Sequence, residues 1–574
     1  MKKLKKYFNG YIKESILGPL FKLLEASLEL IVPLVIAAII DRGIMEGDKP
    51  YVVKMCLVLV LLGAVGLGFS VTAQYYAAKA SCGFSAKMRS ALFSHIETLS
   101  YSEIDTIGTS TLITRMTSDS NQVQTGINLT LRLLLRSPFV VFGAMIMAFT
   151  IDFKSALTFA AVIPLLSLVV FGIMLASMPL YKKSQARLDA VLKKTRENLH
   201  GARVIRAFSM EDDEISSFKE KNESLTAIQK FVGRISALMN PTTYILINFA
   251  VIFLIYVGAL RVDAGDLTQG QVVALYNYMG QILVELIKLA NLIISITKAL
   301  ASASRIEAIF DTETSMTYGD EELTTIGEGL TLDGVALKYR GSAEASLSGI
   351  SLTAKCGETI GIIGGTGAGK TSLVNLIPRF YDATEGSVKI NGKDISNYTK
   401  KSLRERIAIV PQNAYLFSGT IRDNIKFGKN DATDEDILRA IDIAQGSEIV
   451  EVKGGLDARI EQGGKNLSGG QRQRLTIARA VVTGADILIL DDSASALDYA
   501  TDAKLRAAIK ENTKDSLVFI VSQRASSVMH ADKILVLDDG ECVAMGTHEE
   551  LLSSSELYRE IYETQFGTEV SENE

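Results

Sequence analysis

Gly364-Gly365-Thr366-Gly367-Ala368-Gly369-Lys370-Thr371 is the stretch that decides the fold. These residues fit the pattern GxxxxGK[ST]. They follow a strand-like run, Thr359–Ile363, and lead into a helix-like run from Ser372 to Ile377. A glycine-rich turn between a strand and a helix presents backbone N–H groups and the positive end of the helix to an anion. Lys370 supplies a charge for β- and γ-phosphates, and Thr371 a hydroxyl for Mg2+. Gly364 to Ser372 therefore reads as the phosphate loop of an ATP site in a soluble α/β domain. Downstream, Ile487-Leu488-Ile489-Leu490-Asp491 is an apolar strand ending in an acid. Asp491 is the expected second protein ligand for Mg2+, usually through water.

Upstream of this domain the character of the chain changes. Met55–Ala78, Ser155–Tyr181, Ile235–Leu260 and Leu267–Val284 contain no charge. Each is long enough, at 1.5 Å per residue, to cross about 30 Å of hydrocarbon. Ser137–Ile151 and Leu30–Ile40 are shorter charge-free runs that extend backwards into mixed sequence. Six transmembrane helices are expected. Basic residues crowd the N-terminus (Lys2, Lys3, Lys5, Lys6) and the stretch Lys182–Arg206, while the short connections near 41–50, 151–154 and 261–266 carry few. This asymmetry predicts cytoplasmic termini. Lys2–Lys13 reads as an amphipathic helix on the inner membrane surface, since the apolar run behind it is too long for a signal peptide. The polar stretches Lys79–Arg136 and Lys182–Arg234 keep helical apolar spacing, as expected if the membrane helices continue into the cytosol.

The expected organisation is a membrane domain over 1–310, a polar linker over 311–328, a nucleotide-binding domain over 329–566, and an acidic, disordered tail over 567–574. Composition agrees with two such halves. The 574 residues are 48% hydrophobic, with a mean hydropathy of +0.22. The net charge of −5 argues against a nucleic-acid partner. Cys56, Cys82, Cys356 and Cys542 form no CxxC pair, so neither zinc nor disulfides are expected, only reduced and mostly buried thiols.

Further motifs carry a resemblance. Leu467-Ser468-Gly469-Gly470-Gln471 stands just before the Ile487–Asp491 strand and matches the signature of ATP-binding cassette (ABC) proteins. Gln412 matches their Q-loop, Ser495–Asp498 their D-loop, and Tyr339 the aromatic residue that stacks on adenine. With six membrane helices ahead of the cassette, the chain resembles an ABC exporter half-transporter. The resemblance implies cytosolic coupling helices near Ser102–Gly108 and Gly201–Met210. It also implies a bacterial inner-membrane location, Gln412 as a further Mg2+ contact, and ATP sandwiched between one chain's phosphate loop and another chain's signature.

Two positions depart from that pattern. After the Mg2+-binding acid, active cassettes carry a Glu that polarises the attacking water; here it is Asp492. Its carboxylate reaches about 1.5 Å less, and a misplacement of about 1 Å can cost on the order of 100-fold. In the switch segment the family has a His; this chain has Gln523, which cannot be protonated. Asp492, Gln523 and Gln412 are thus the candidate catalytic residues of a site that binds ATP and hydrolyses it poorly. The intact signature would complete a partner's site. The chain therefore resembles the less active subunit of heterodimeric bacterial multidrug exporters, with a second homologous half-transporter, the lipid bilayer and a small amphiphilic substrate as its partners. The alternative is a homodimeric lipid flippase or peptide exporter.

Glu25 and Glu29 share one helix face within the first apolar segment. Carboxylates at that depth bind a cationic amphiphile or pair with Lys22 and neighbouring helices. Met145, Met147, Met174 and Met178 either line an adaptable cavity or serve ordinary packing.

Overall fold

The computed structural model describes residues 3–567; the expected acidic tail from Thr568 onward lies outside them. The chain forms two compact units. One runs to Glu97 and resumes over Ser110–Thr312; the other joins Thr98–Thr109 to Glu313 and all that follows.

The first unit is helical. Among the described residues, six helical segments are long and apolar enough to cross a membrane: Ile12–Ile44, Lys49–Thr98, Thr109–Ile151, Phe153–His200, Glu211–Asp263 and Gln269–Phe310. Several far exceed the roughly 20 residues a bilayer needs, so they extend well past it. The segment before the first of them is shorter than expected. A 3-10 turn, Lys3–Phe8, buries Leu4 and Tyr7, and the chain then breaks at Gly10, whose φ is +93°. Tyr7 packs against Phe84 and Phe310, so this turn is pinned by aromatic contacts on one side.

The most buried charges inside the spans are paired. Arg136, 7% exposed, donates to Glu285 at 2.5 Å and to Glu29 at 2.6 Å. Glu285 also accepts from Ser137 and Lys288, each at 2.8 Å. Lys22 donates to Glu25 at 2.5 Å. Of the two readings of Glu25 and Glu29, the structure shows the paired one, because an isolated carboxylate at this depth is too costly to leave uncompensated. Met174 packs with Val170 and Ala290 in a small core, while Met145 and Met147 are partly buried against a larger one. The thiols are free, but the expectation that they are mostly buried fails: Cys56 and Cys82 are exposed, and Cys356 and Cys542 are partly covered.

The second unit is α/β. Its strands are β1 (Leu330–Leu337), β2 (Leu347–Ala354), β3 (Thr359–Gly364), β4 (Glu385–Ile390), β5 (Lys393–Asp394), β6 (Ile407–Val410), β7 (Gly419–Thr420), β8 (Arg459–Ile460), β9 (Ile487–Asp491), β10 (Leu517–Ser522), β11 (Lys533–Asp538) and β12 (Glu541–Gly546). The main sheet has the order β12-β11-β3-β10-β9-β6 and is parallel except at β12. Central strands of a parallel sheet are covered on both faces, so they read as unbroken apolar runs; all five residues of β9 are buried. An antiparallel sheet, β2-β1-β4-β5, completes the first core, and the helices of Ile421–Lys453 pack over a second.

Register places the site. Ser522 is paired with Ile363, and Val521 with Asp491. The carboxyl ends of β3, β9 and β10 therefore open on one edge of the sheet, where ligands of open α/β folds bind. The same unit holds the short helix Tyr101–Ile107, inside the first expected coupling segment. Tyr101 stacks on Phe380 at 4.6 Å, and the Tyr381 hydroxyl donates to Asp105. The second expected coupling segment holds the helix Ala202–Ala207, in the first unit.

Candidate nucleotide site

Gly364 ends β3 and Lys370 opens the helix Lys370–Leu376. Two glycines are required between them. A Cβ on Gly364 would sit 2.1 Å from the Leu537 carbonyl oxygen of the neighbouring strand. Gly369 has a φ of +90°, and a Cβ there would lie 2.6 Å from the Ser346 oxygen. Only glycine brings the loop this close to the sheet while turning into the helix.

The loop walls a cavity of about 420 Å3, lined by Thr366–Ser372, Gln412, Asp491, Asp492 and Gln523, with Asp539 and Gly540 at its rim. Lys370 is folded back, its Nζ donating to the carbonyl oxygens of Gly364 at 2.8 Å and Gly365 at 2.6 Å. Burial pulls its ammonium below the usual lysine range, against the opposing pull of Asp492 and Asp491. Thr371 Oγ1 donates to Asp491 Oδ1 at 3.1 Å. Burial pushes the Asp491 carboxyl up and Asp492 adds to it, while the Thr371 hydroxyl and Lys370 act the other way. Thr371, Asp491 and Gln412 offer a hydroxyl, a carboxylate and an amide oxygen, a hard all-oxygen set suited to Mg2+.

Asp492 sits where the chain leaves β9. Its φ is +46°, in the left-handed region that short polar side chains such as Asp tolerate. Its N–H donates to the Val521 carbonyl at 2.9 Å, and its own carbonyl accepts from the Ser495 hydroxyl at 2.9 Å. Gln412 Nε2 lies 3.5 Å from Asp492 Oδ2, a long contact. Burial raises the Asp492 carboxyl, offset by Gln412, Lys370 and Arg524.

The structure thus brings together Gly364–Ser372, Gln412, Asp491, Asp492 and Gln523. Tyr339 stands beside them rather than in the cavity wall. Its hydroxyl donates to Ser372 Oγ at 3.0 Å, and its ring meets Tyr381 edge-on at 5.0 Å. The signature residues Leu467, Ser468, Gly469, Gly470 and Gln471 do not line the cavity. They cap the helix Gly469–Val481 through a reciprocal pair. The Gln471 N–H donates to Ser468 Oγ at 3.2 Å, and the Ser468 N–H to Gln471 Oε1 at 3.0 Å. Ser468 and Gly469 are exposed, so the positive end of this helix faces outward from its own chain.

Sequence reasoning missed two residues around the switch segment. The Arg524 guanidinium donates to the carbonyls of Ser495 and Leu497, each at 3.2 Å, and lies over the Tyr499 ring. Gln565, far along the chain, bonds the backbone of Gln523 and Ala525. Arg524 was visible beside Gln523; Gln565 belongs to no motif.

Known proteins share this arrangement. Residues 15–286 match the ABC transporter transmembrane region, and residues 347–495 match the ABC transporter family. The ABC transporter ATP-binding protein YfiB of Bacillus subtilis (strain 168) is 36% identical over 579 residues, 100% of each chain. The ATP-dependent lipid A-core flippase of Desulfotalea psychrophila is 35% identical over 477 residues, 83% of each. A bacterial Atm1-family ABC exporter with ATP bound shares the fold, with a TM-score of 0.78 over 99% of each chain at 22% identity. Six apolar spans followed by a nucleotide-binding domain, and a relative matched end to end at 36% identity, show that this chain belongs to the ABC transporter family and has the exporter architecture.

Proposed function

We propose that this chain is one half of a heterodimeric ABC exporter, moving amphiphilic compounds or lipids out across the inner membrane, and that ATP held on its own phosphate loop is hydrolysed poorly. The carrying observation is Asp492. Its backbone is fixed on both sides, at Val521 and at Ser495, so the shorter acid cannot move forward to take the place of the Glu that active cassettes use. Gln523, in place of the family His, weakens the same site a second time.

The chain's own residues divide the work. Lys370 leaves the Gly364 and Gly365 carbonyls for the β- and γ-phosphates. Tyr339 stacks on the adenine. Thr371 and Asp491 hold Mg2+, with Gln412 as a further contact; the ion neutralises phosphate charge when bound. The outward-facing Ser468-Gly469-Gly470 completes the partner's site, where hydrolysis mainly occurs. Val204 and Phe208, 60% and 73% exposed around the helix Ala202–Ala207, suit docking onto a partner's cassette.

The substrate class draws on the amphiphilic setting and on the relative named a lipid A-core flippase. That relative also supports the second reading, a homodimeric flippase. Purification of the tagged chain co-expressed with its neighbouring gene separates the two. The heterodimer reading predicts a stable complex holding one copy each of two homologous chains. A complex containing only this chain, active by itself, contradicts it.

A further inference from the structure

The backbone of Gln523–Ala525 lies just past the end of β10, where the sheet no longer supplies partners. Ser522 is the last residue of that strand paired to β3. The Arg524 N–H donates to Ser522 Oγ at 3.0 Å, and two further side chains tie the segment down. From one side Arg524 reaches the carbonyls of Ser495 and Leu497. From the other, Gln565 Nε2 donates to the Gln523 carbonyl at 2.8 Å, and the Ala525 N–H donates to Gln565 Oε1 at 2.8 Å. One amide thus closes a two-bond ring over the switch segment, as an adjacent strand would.

Gln565 is itself well placed to do this. It lies on the C-terminal helix Glu556–Phe566. Tyr558, Tyr562 and Gln565 follow the i, i+4, i+7 spacing of one helix face. Tyr558 is fully buried in a core with Ile363, Ala525, Val528 and Val536, and its hydroxyl pairs with His548 Nδ1 at 2.8 Å. Tyr562 packs against His548 at 5.2 Å. The clip therefore rests on a helix that is anchored in the core of the domain.

We infer that Gln565 is the positioning residue of the switch segment, holding Gln523 at the γ-phosphate end of the cavity and so setting how tightly this chain retains nucleotide. This inference rests on the cavity being the ATP site. It gives the C-terminal helix a role in the nucleotide site that none of the sequence motifs indicates.

The test uses the full transporter, co-purified with its partner, and a photoreactive azido-ATP, so that labelling of each chain is read separately. Gln565→Ala should raise the half-saturating concentration for labelling this chain about fivefold, the effect of losing two modest hydrogen bonds at an exposed site. Labelling of the partner and the unfolding temperature should not change. Gln565→Glu keeps the shape and the acceptor for Ala525 but turns a carboxylate oxygen toward the Gln523 carbonyl, so it should shift labelling at least as far. Wild-type labelling curves for both variants overturn the inference, as does an equal shift on both chains or earlier unfolding. Undiminished labelling of this chain after Lys370→Ala would instead overturn the ATP-site reading itself.

Discussion

Lengthening Asp492 by one methylene should restore hydrolysis at this chain's site. The backbone there is set: the Asp492 N–H is held by Val521 at 2.9 Å, and its carbonyl by the Ser495 hydroxyl at 2.9 Å. Side-chain length is the remaining variable. Asp492 Oδ2 stands 3.5 Å from Gln412 Nε2, about 0.6 Å beyond an ordinary N–H···O bond. Asp492→Glu advances the carboxylate by about 1.5 Å, a displacement of the size that separates productive from unproductive placement of a base. The expected gain is about 100-fold in turnover at this site, or about 2.7 kcal/mol of barrier. Adding Gln523→His should raise it further by supplying a γ-phosphate contact that can take up a proton and carry positive charge, which the Gln amide cannot. The assay is single-turnover ATP cleavage by the purified complex with the partner's catalytic acid changed to its amide, so that only this chain's site can act. No gain in the Asp492→Glu, Gln523→His double variant would refute the reasoning, because the defect would then lie elsewhere than in those two side chains.

Other predictions follow from the same structure. Arg136→Gln leaves Glu285 and Glu29 without their buried cation and should destabilise the protein in detergent by about 3–5 kcal/mol; neutralising Glu285 and Glu29 together with Arg136 should recover most of the loss. Thermal unfolding of both variants checks this. Lys370→Ala should abolish nucleotide labelling of this chain while leaving its yield unchanged. Burial, helped by nearby His530 and opposed by Glu549, pulls His548 below its ordinary value of 6.5. The neutral form is thus favoured in the fold, so this stabilisation is present above pH 6.5 and is lost as pH falls below it. Amide exchange in the helix Glu556–Phe566 should accordingly speed up below pH 6.5, and His548→Gln should remove that dependence.

Sequence legibility followed physics. The phosphate loop, Asp491 and the six spans were readable because each rests on a local rule: glycine geometry, an apolar run ending in an acid, or hydrocarbon thickness. The signature was recognised only as a motif; that Ser468 and Gln471 cap the helix Gly469–Val481 emerged from the structure, although their spacing is that of a capping box. Pairing across the chain was not. Glu29 and Glu285 are more than 250 residues apart and meet at Arg136 only because three spans pack together. Gln565 reaches Gln523 from a helix 42 positions later, and no periodicity marks an amide that clips a strand end. The N-terminal segment was read as an amphipathic helix, yet Gly10 breaks it, a backbone choice that hydrophobic spacing does not register. The thiols show the converse: composition suggested burial, but Cys56 is exposed on a span long and apolar enough to cross a membrane, where an apolar side chain needs no cover from its own chain.

The most direct measurement is steady-state ATP turnover by the purified complex, with this chain's acid and the partner's acid removed in turn. The account predicts that Asp492→Asn leaves turnover nearly intact, while the equivalent change on the partner abolishes it. Robust turnover by this chain alone, lost on Asp492→Asn, would contradict the account and make the homodimeric exporter the correct reading.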